Sequence, residues 1–229
     1  ARVGRVCSRW NEMRRVEAIG EDEWHGDLAQ CDAGEMTPPW RQRVLTLLNG
    51  YRFFAGLNQV TLSDELNGKA QQCALAQNLR GLLSHDLEEN AQCFSEDAKQ
   101  GSRSSNLHHL PAVAAMRDYI VDPGMRNWNR LLHRQWLLAN QLGSVGVGST
   151  NRYSCLYVWY GTEGDLNEPA WIAWPPPGPF PYDAGHADHT GWTIHSTRVN
   201  LSQAQLTLSV DGVERPVRFR YLEGEGPAG

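Results

Sequence analysis

A chain of 229 residues with 41% hydrophobic and 9% aromatic content is long enough to bury a sizeable single core, which excludes disorder over most of its length. Its net charge of -5 and pI near 5.9, with arginines scattered among acids, exclude a basic face of the kind that grips nucleic acid. The longest apolar runs, such as Trp136–Ala139, fall far short of the roughly 20 residues that a membrane-crossing helix needs, so no transmembrane segment is predicted.

Residues 1–36 read as a wrapping arm. A short helix is predicted over Ser8–Val16, where Trp10, Met13 and Val16 recur at turn spacing, and His25–Pro39 reads as irregular because glycines and prolines interrupt it. Thr37 followed by Pro38 predicts a helix start, with Val44, Leu47, Leu48 and Tyr51 on one face and Gly56 as the stop. Ser63, Asp64 and Glu65 open a second helix that ends at Gly81. Its face of Leu66, Ala70, Cys73 and Ala74 is small enough to let a neighbour approach closely.

A third helix is predicted over Ala112–Val121, stopped by Asp122-Pro123-Gly124, and a fourth over Trp128 to about Ala139. SVGVG and RYSCLYVWY then read as short buried strands pairing antiparallel. Beyond Gly161 the composition changes to the rigid WIAWPPPGPFP and the polar GHADHTGW. Strand-like TIHSTRV, LTLSV and VRFRY follow, with Asp211-Gly212 as a hairpin turn between the last two. This divides the chain into residues 1–36, 37–161 and 162–229, the last being a Pro/Trp-rich linker with a small β appendage.

Five cysteines at positions 7, 31, 73, 93 and 155 form no CxxC pair, so disulfides are favoured over a structural zinc site. That implies an oxidising, extracytoplasmic location. The start at Ala1 fits a removed export signal or an arbitrary cut. Cys7–Cys31 is the preferred first bridge, since both lie in the arm, and the second bridge draws on Cys73, Cys93 and Cys155.

LNGYRFFAGLNQVTLSDELNGKAQQCALAQNLRGLLSH, followed by SSNLHH, YIVDPG and HRQWLLANQLGSVGVG, resembles the CAP superfamily of cysteine-rich secretory, antigen 5 and pathogenesis-related 1 proteins, with the bacterial branch the nearer likeness. The resemblance covers about Leu45 to Tyr160. It implies an α/β fold, specifically an α–β–α sandwich of CAP type, here with an amino-terminal arm and a small carboxy-terminal β appendage. It also implies a cleft in which two histidines and two acids hold a divalent metal such as zinc.

His85 in LLSH and His133 in LLHRQW match the two histidines and are the candidate metal ligands. The acids do not carry over. Ser105 of Ser104-Ser105-Asn106 stands where the family has glutamate, and Asp122 is the candidate for the second acid. Two imidazoles alone bind zinc weakly.

Asn106 either fixes a histidine or stabilises a turn. Of His108 and His109 at most one is expected to point inward, because adjacent side chains diverge. Glu88, Glu89 and Glu96 are possible replacement acids. His186 and His189 read as a surface loop, and Trp171, Trp174, Phe180 and Tyr182 read as docking a tail or forming a stacking platform.

The candidate cleft is therefore His85, Ser105, Asn106, Asp122 and His133. The expected function is exported binding of a peptide, lipid or cell-envelope component without catalysis. The alternative is a metal-assisted hydrolase using His85 and His133.

Overall fold

The computed structural model describes residues 2–124, 127, 129–159, 169–184, 190–196 and 199–222. The elements are α1 (Arg2–Ile19), α2 (Pro38–Ala55), β1 (Thr61–Leu62), α3 (Asp64–Arg80), α4 (Glu96–Ser104), β2 (Ser105–His108), α5 (Ala112–Val121), α6 (Leu132–Leu137), β3 (Ser144–Ser149) and β4 (Ser154–Tyr157). After them come β5 (Ile172–Trp174), a short 3-10 turn (Tyr182–Ala184), β6 (Thr193–His195), β7 (Leu208–Val210) and β8 (Val213–Arg215).

The predicted caps operate as chemistry requires. The Thr37 hydroxyl accepts from the Trp40 amide at 3.2 Å, Ser63 caps α3 in the same way, and Gly56 and Gly81 close their helices in the left-handed conformation. The central sheet runs β1-β3-β4-β2, with β1 parallel to β3 and the other two pairings antiparallel. Side chains alternate across it. Leu107, Cys155 and Tyr157 pack on Leu66, Ala70, Cys73 and Ala74 of α3, whereas Val145, Val147, Leu156 and Val158 join the larger core with α2 and α5. Helices cover both faces, giving the mixed α/β sandwich.

Two features of α3 fix this layering. A Cβ at Gly148 would strike the Ala70 backbone and one at Gly146 the Leu66 backbone, so the glycines of β3 let helix and strand meet at main-chain distance. Because β1 is only two residues long, the remaining amides of β3 need other partners. Val147 N–H donates to Asn67 Oδ1 at 2.9 Å and Ser149 N–H to Gln71 Oε1 at 3.0 Å. Four residues of helix rise about 6 Å and two residues of strand about 6.8 Å, so the two amide side chains match alternate strand positions.

Several expectations are corrected. The helix of the arm spans Arg2–Ile19, longer than the predicted Ser8–Val16, and packs on α2 through Met13, while residues 20–37 hold no helix or strand beyond the isolated Asp27–Asp32 bridge. The preferred Cys7–Cys31 bridge does not form. Cys31 pairs with Cys93, Cys73 pairs with Cys155, and Cys7 is a free, exposed thiol. The reason is geometric: Cys7 sits on the solvent side of α1, while Cys31 and Cys93 meet with Cα atoms 5.3 Å apart, each at positive φ.

Helix α4 is absent from the sequence expectation, and Ser105–His108 form strand β2 and not a turn, directly after the last residue of α4, Ser104. The fourth helix shrinks to Leu132–Leu137, and the final strand is Val213–Arg215 in place of VRFRY, with Asp211-Gly212 still at the turn. Trp174 is fully buried against Tyr51 and Phe180, so part of the Pro/Trp-rich segment docks on the main core, while Trp171 and Tyr182 stay exposed.

Candidate functional site

Six residues are too few for a helix to persist on its own, so α6 depends on what holds its ends. Its first turn has no capping side chain from Leu131, which lies at φ 47°. Asp122 supplies the cap from a distance in sequence: Oδ2 accepts from the His133 amide at 3.0 Å and the Arg134 amide at 3.4 Å. Asp122 is fully buried and takes the left-handed conformation at the end of α5, just before Pro123, which turns its carboxylate toward α6.

The other oxygen, Oδ1, accepts from His133 Nδ1 at 2.8 Å. A carboxylate only accepts, so Nδ1 carries a proton, and when the ring holds only that one Nε2 is the acceptor. The His133 side chain is 20% exposed.

Two buried guanidiniums complete the scaffold. Arg52 of α2 donates to the carbonyls of Leu137 and Ala139 at 2.9 and 2.8 Å, closing the far end of α6. Arg134 donates to Ile120 O at 2.6 Å and Val121 O at 3.1 Å, satisfying the end of α5, and to Thr190 Oγ1 and Gly191 O, which ties the β5–β6 segment to it. Burial pulls the Arg134 guanidinium down to about 10, opposed by the Asp122 carboxylate.

On the same side of the sheet Asn106 donates from Nδ2 to the His133 carbonyl at 3.2 Å, so it fixes the main chain of α6 and not an imidazole ring. Tyr119 O–H donates to Asn106 O at 3.0 Å, and its ring lies between His133 and His108, with centroids 5.3 and 5.5 Å away. His108 is buried and His109 exposed. Leu110 N–H donates to His108 Nδ1 at 3.1 Å, and Nε2 donates to Asp118 Oδ2 at 3.3 Å. Both nitrogens are thus used. Burial is the main cause that draws this imidazole down to about 4, with His109 and His133 adding to it and Asp118 opposing it.

The remaining candidates lie with the other layer. His85 is exposed and its Nδ1 donates to Ser102 O of α4 at 2.8 Å. Ser105 alternates with Asn106 along β2, and its buried hydroxyl has no hydrogen-bond partner among the described residues. The structure thus brings Asn106, Asp122 and His133 together, while the hydrogen bonds of His85 lead to α4 and Ser105 faces α3. Glu88 and Glu96 are exposed, and Glu89 pairs with Lys99. His186 and His189 lie outside the described residues.

One feature escaped the sequence reading. Trp136, one turn beyond His133, stacks on Trp159 with centroids 5.0 Å apart and planes at 28°. Trp159 is anchored by its amide to Ser104 O at 3.2 Å, two residues from the carbonyl that holds His85. The signal available was the i, i+3 spacing of His133 and Trp136, which places both on one side of a helix.

Among the described residues no three His, Cys, Asp or Glu side chains converge as a metal would require. Ser105 offers a neutral hydroxyl where a carboxylate is needed, and Asp122 is committed to His133 and two amides. The residues present therefore do not fit a metal set of the family type. What the arrangement provides is an oriented imidazole with an acceptor nitrogen beside an aromatic pair.

The chain matches the family model described as "Cysteine-rich secretory protein family", CAP, over residues 45–162, just over half of its length. No curated protein and no solved structure matched. The matched span runs from inside α2 through β4, the segment that builds both faces of the central sheet and carries His85 and His133. The chain belongs to the CAP, or cysteine-rich secretory protein, family.

Proposed function

We propose that this CAP protein is an exported binding protein whose cleft beside α6 takes a peptide, lipid or cell-envelope ligand without turning it over. The observation that carries this reading is the Asp122–His133 pair: a buried carboxylate fixes the ring so that Nε2 is the acceptor, a preorganised hydrogen-bonding point. A hydrolase using zinc would need a third ligand beside His133, which the described residues do not supply. Export agrees with two disulfides, which persist in oxidising compartments, and no helix among the described residues is long and apolar enough to cross a membrane.

The test is titration of the purified protein with phospholipid vesicles, peptidoglycan fragments and extended peptides, read by isothermal calorimetry and by chemical-shift changes at His133. One class should bind saturably, and His133→Ala should weaken it about tenfold, or about 1.4 kcal/mol. Binding that is indifferent to His133, or product release in place of a retained ligand, overturns the proposal.

A further inference from the structure

Strands β5 and β6 make a two-stranded ribbon, and two strands alone hold no stable shape in water. The ribbon keeps its form because its inner face is docked. Ile172, Trp174, Thr193 and His195 are buried, whereas Ile194 on the alternate face is exposed. Trp174 packs edge-on to Tyr51 of α2, and Arg134 of α6 holds the other strand.

The Arg134 guanidinium is divided between two partners. Its Nε donates to Ile120 O, and Nη2 donates to both Val121 O and Thr190 Oγ1. Among the described residues Nη1 serves the ribbon alone, donating to Gly191 O at 3.1 Å and Thr193 Oγ1 at 3.5 Å. Without the ribbon this side chain would still be fastened to the end of α5. Helix α6 would also stay in place, since Asp122 and Arg52 hold its two ends. The ribbon is therefore a part that can leave by itself.

In its docked face lies His195, which is 5% exposed, pairs opposite Ile172, and has no hydrogen-bond partner for either ring nitrogen among the described residues. A neutral ring can stay in such a place, but an imidazolium there needs an acid to receive its charge. The surrounding elements offer one carbonyl and no free acid. Helix α6 presents the Arg134 guanidinium and the Leu138 carbonyl. Helix α2 contributes Tyr51, packed on Trp174, and Arg52, bonded to the carbonyls of Leu137 and Ala139 on either side of Leu138. At the end of α5, Asp122 is engaged with His133 and two amides, and the ribbon segment's one acid among the described residues, Asp183, pairs with Arg14. Burial draws the His195 ring down to about 4, against the Leu138 carbonyl and with the Arg134 guanidinium.

We propose that the β5–β6 ribbon is an acid-released strap: a proton taken up by His195 sets an uncompensated cation beside Arg134 in the docked face, and the ribbon comes away while α6 and the central sheet stay folded. Docking is complete above the ordinary imidazole value of 6.5 and is lost as pH falls toward 4. Across that interval the released population should rise about tenfold per pH unit, about 300-fold in all. Release uncovers Trp174 and Arg134 Nη1, so the surface next to His133 differs between neutral and acidic surroundings.

Hydrogen exchange of the full chain, read by mass spectrometry from about pH 7 to about pH 4 and corrected for the slower intrinsic exchange in acid, tests this. Protection of residues 172–174 and 193–195 should fall about 100-fold or more, with that of α3 and α6 unchanged. In His195→Phe, which fills the ring's place without titrating, and in His195→Gln, which keeps a neutral polar group, ribbon protection should not respond to pH. Two replacements are used so that a failure of one to fold leaves the other to report. Wild-type ribbon protection that persists to pH 4 overturns the strap. So does loss of ribbon and α3 protection together, or an equal loss in the variants.

Discussion

Asp122 is the residue on which the site's geometry turns, and two substitutions separate its duties. Asp122→Asn keeps a carbonyl oxygen for the amides of His133 and Arg134, and Asn is as good a helix cap as Asp and tolerates the left-handed conformation found here. It replaces one charge-assisted bond to His133 by a neutral one, for a loss of about 1–1.5 kcal/mol. With the oxygen turned to the amides, its NH2 group faces His133 Nδ1 and requires that nitrogen to accept. The imidazole should therefore switch to the Nε2–H tautomer.

Asp122→Ala removes every acceptor, leaves buried donors unsatisfied and adds a left-handed penalty of about 1–2 kcal/mol. Its cost should be on the order of 5 kcal/mol, much of the 5–15 kcal/mol that holds a typical domain. Two-bond proton–nitrogen NMR on the histidines reads the tautomer, and guanidinium unfolding reads the stability. The reasoning is refuted if the wild-type ring carries its proton on Nε2, or if Asp122→Asn leaves the tautomer unchanged.

Arg134→Lys should destabilise by about 3–5 kcal/mol in denaturant unfolding, because one ammonium cannot reach the acceptors on α5 and on Thr190–Gly191 together. His195 is buried with its ring drawn down to about 4 by desolvation. Its folded value lies below the ordinary imidazole value of 6.5, so its stabilisation is complete above pH 6.5 and is lost as pH falls toward 4, by up to about 3 kcal/mol. His195→Phe should flatten that part of a stability-versus-pH curve, and an unaltered slope would contradict it. Under native, non-reducing conditions iodoacetamide should label Cys7 alone by mass spectrometry. Removing the Cys73–Cys155 bridge, whose cysteines are 82 residues apart, should cost about 2–5 kcal/mol of unfolding free energy.

The helices and strands with strong local instructions were readable in advance. Thr37-Pro38, Ser63, Gly56 and Gly81 punctuate α2 and α3 by capping chemistry alone, and the pattern of Ala112–Val121 ends at its proline. Elements whose existence depends on distant partners were not. Helix α4 is nearly all polar, buries little beyond Ala98, Gly101 and two serines, and exists because Gly101 lets it lie on α3.

β2 is four residues long and looks like a turn until Ser154–Tyr157 pairs with it. In the site, His133 and Asp122 were recognisable from the family pattern, but not their bond, because it joins the residue just after one helix to a ring eleven positions later. The cysteine pairing failed for a like reason: closeness in sequence says little about which Cα atoms meet in space.

The placement of α6 has a consequence for how this protein can vary. The short helix is anchored at one end by a carboxylate from α5 and at the other by a guanidinium from α2, and both anchors lie inside the main core. Its amides should then exchange with solvent only when the whole core opens, and not through a local fluctuation of their own. The face of α6 that carries His133 is thus as rigid as the interior. Substitutions are most readily accepted at outward positions such as Trp159, with both anchors left intact.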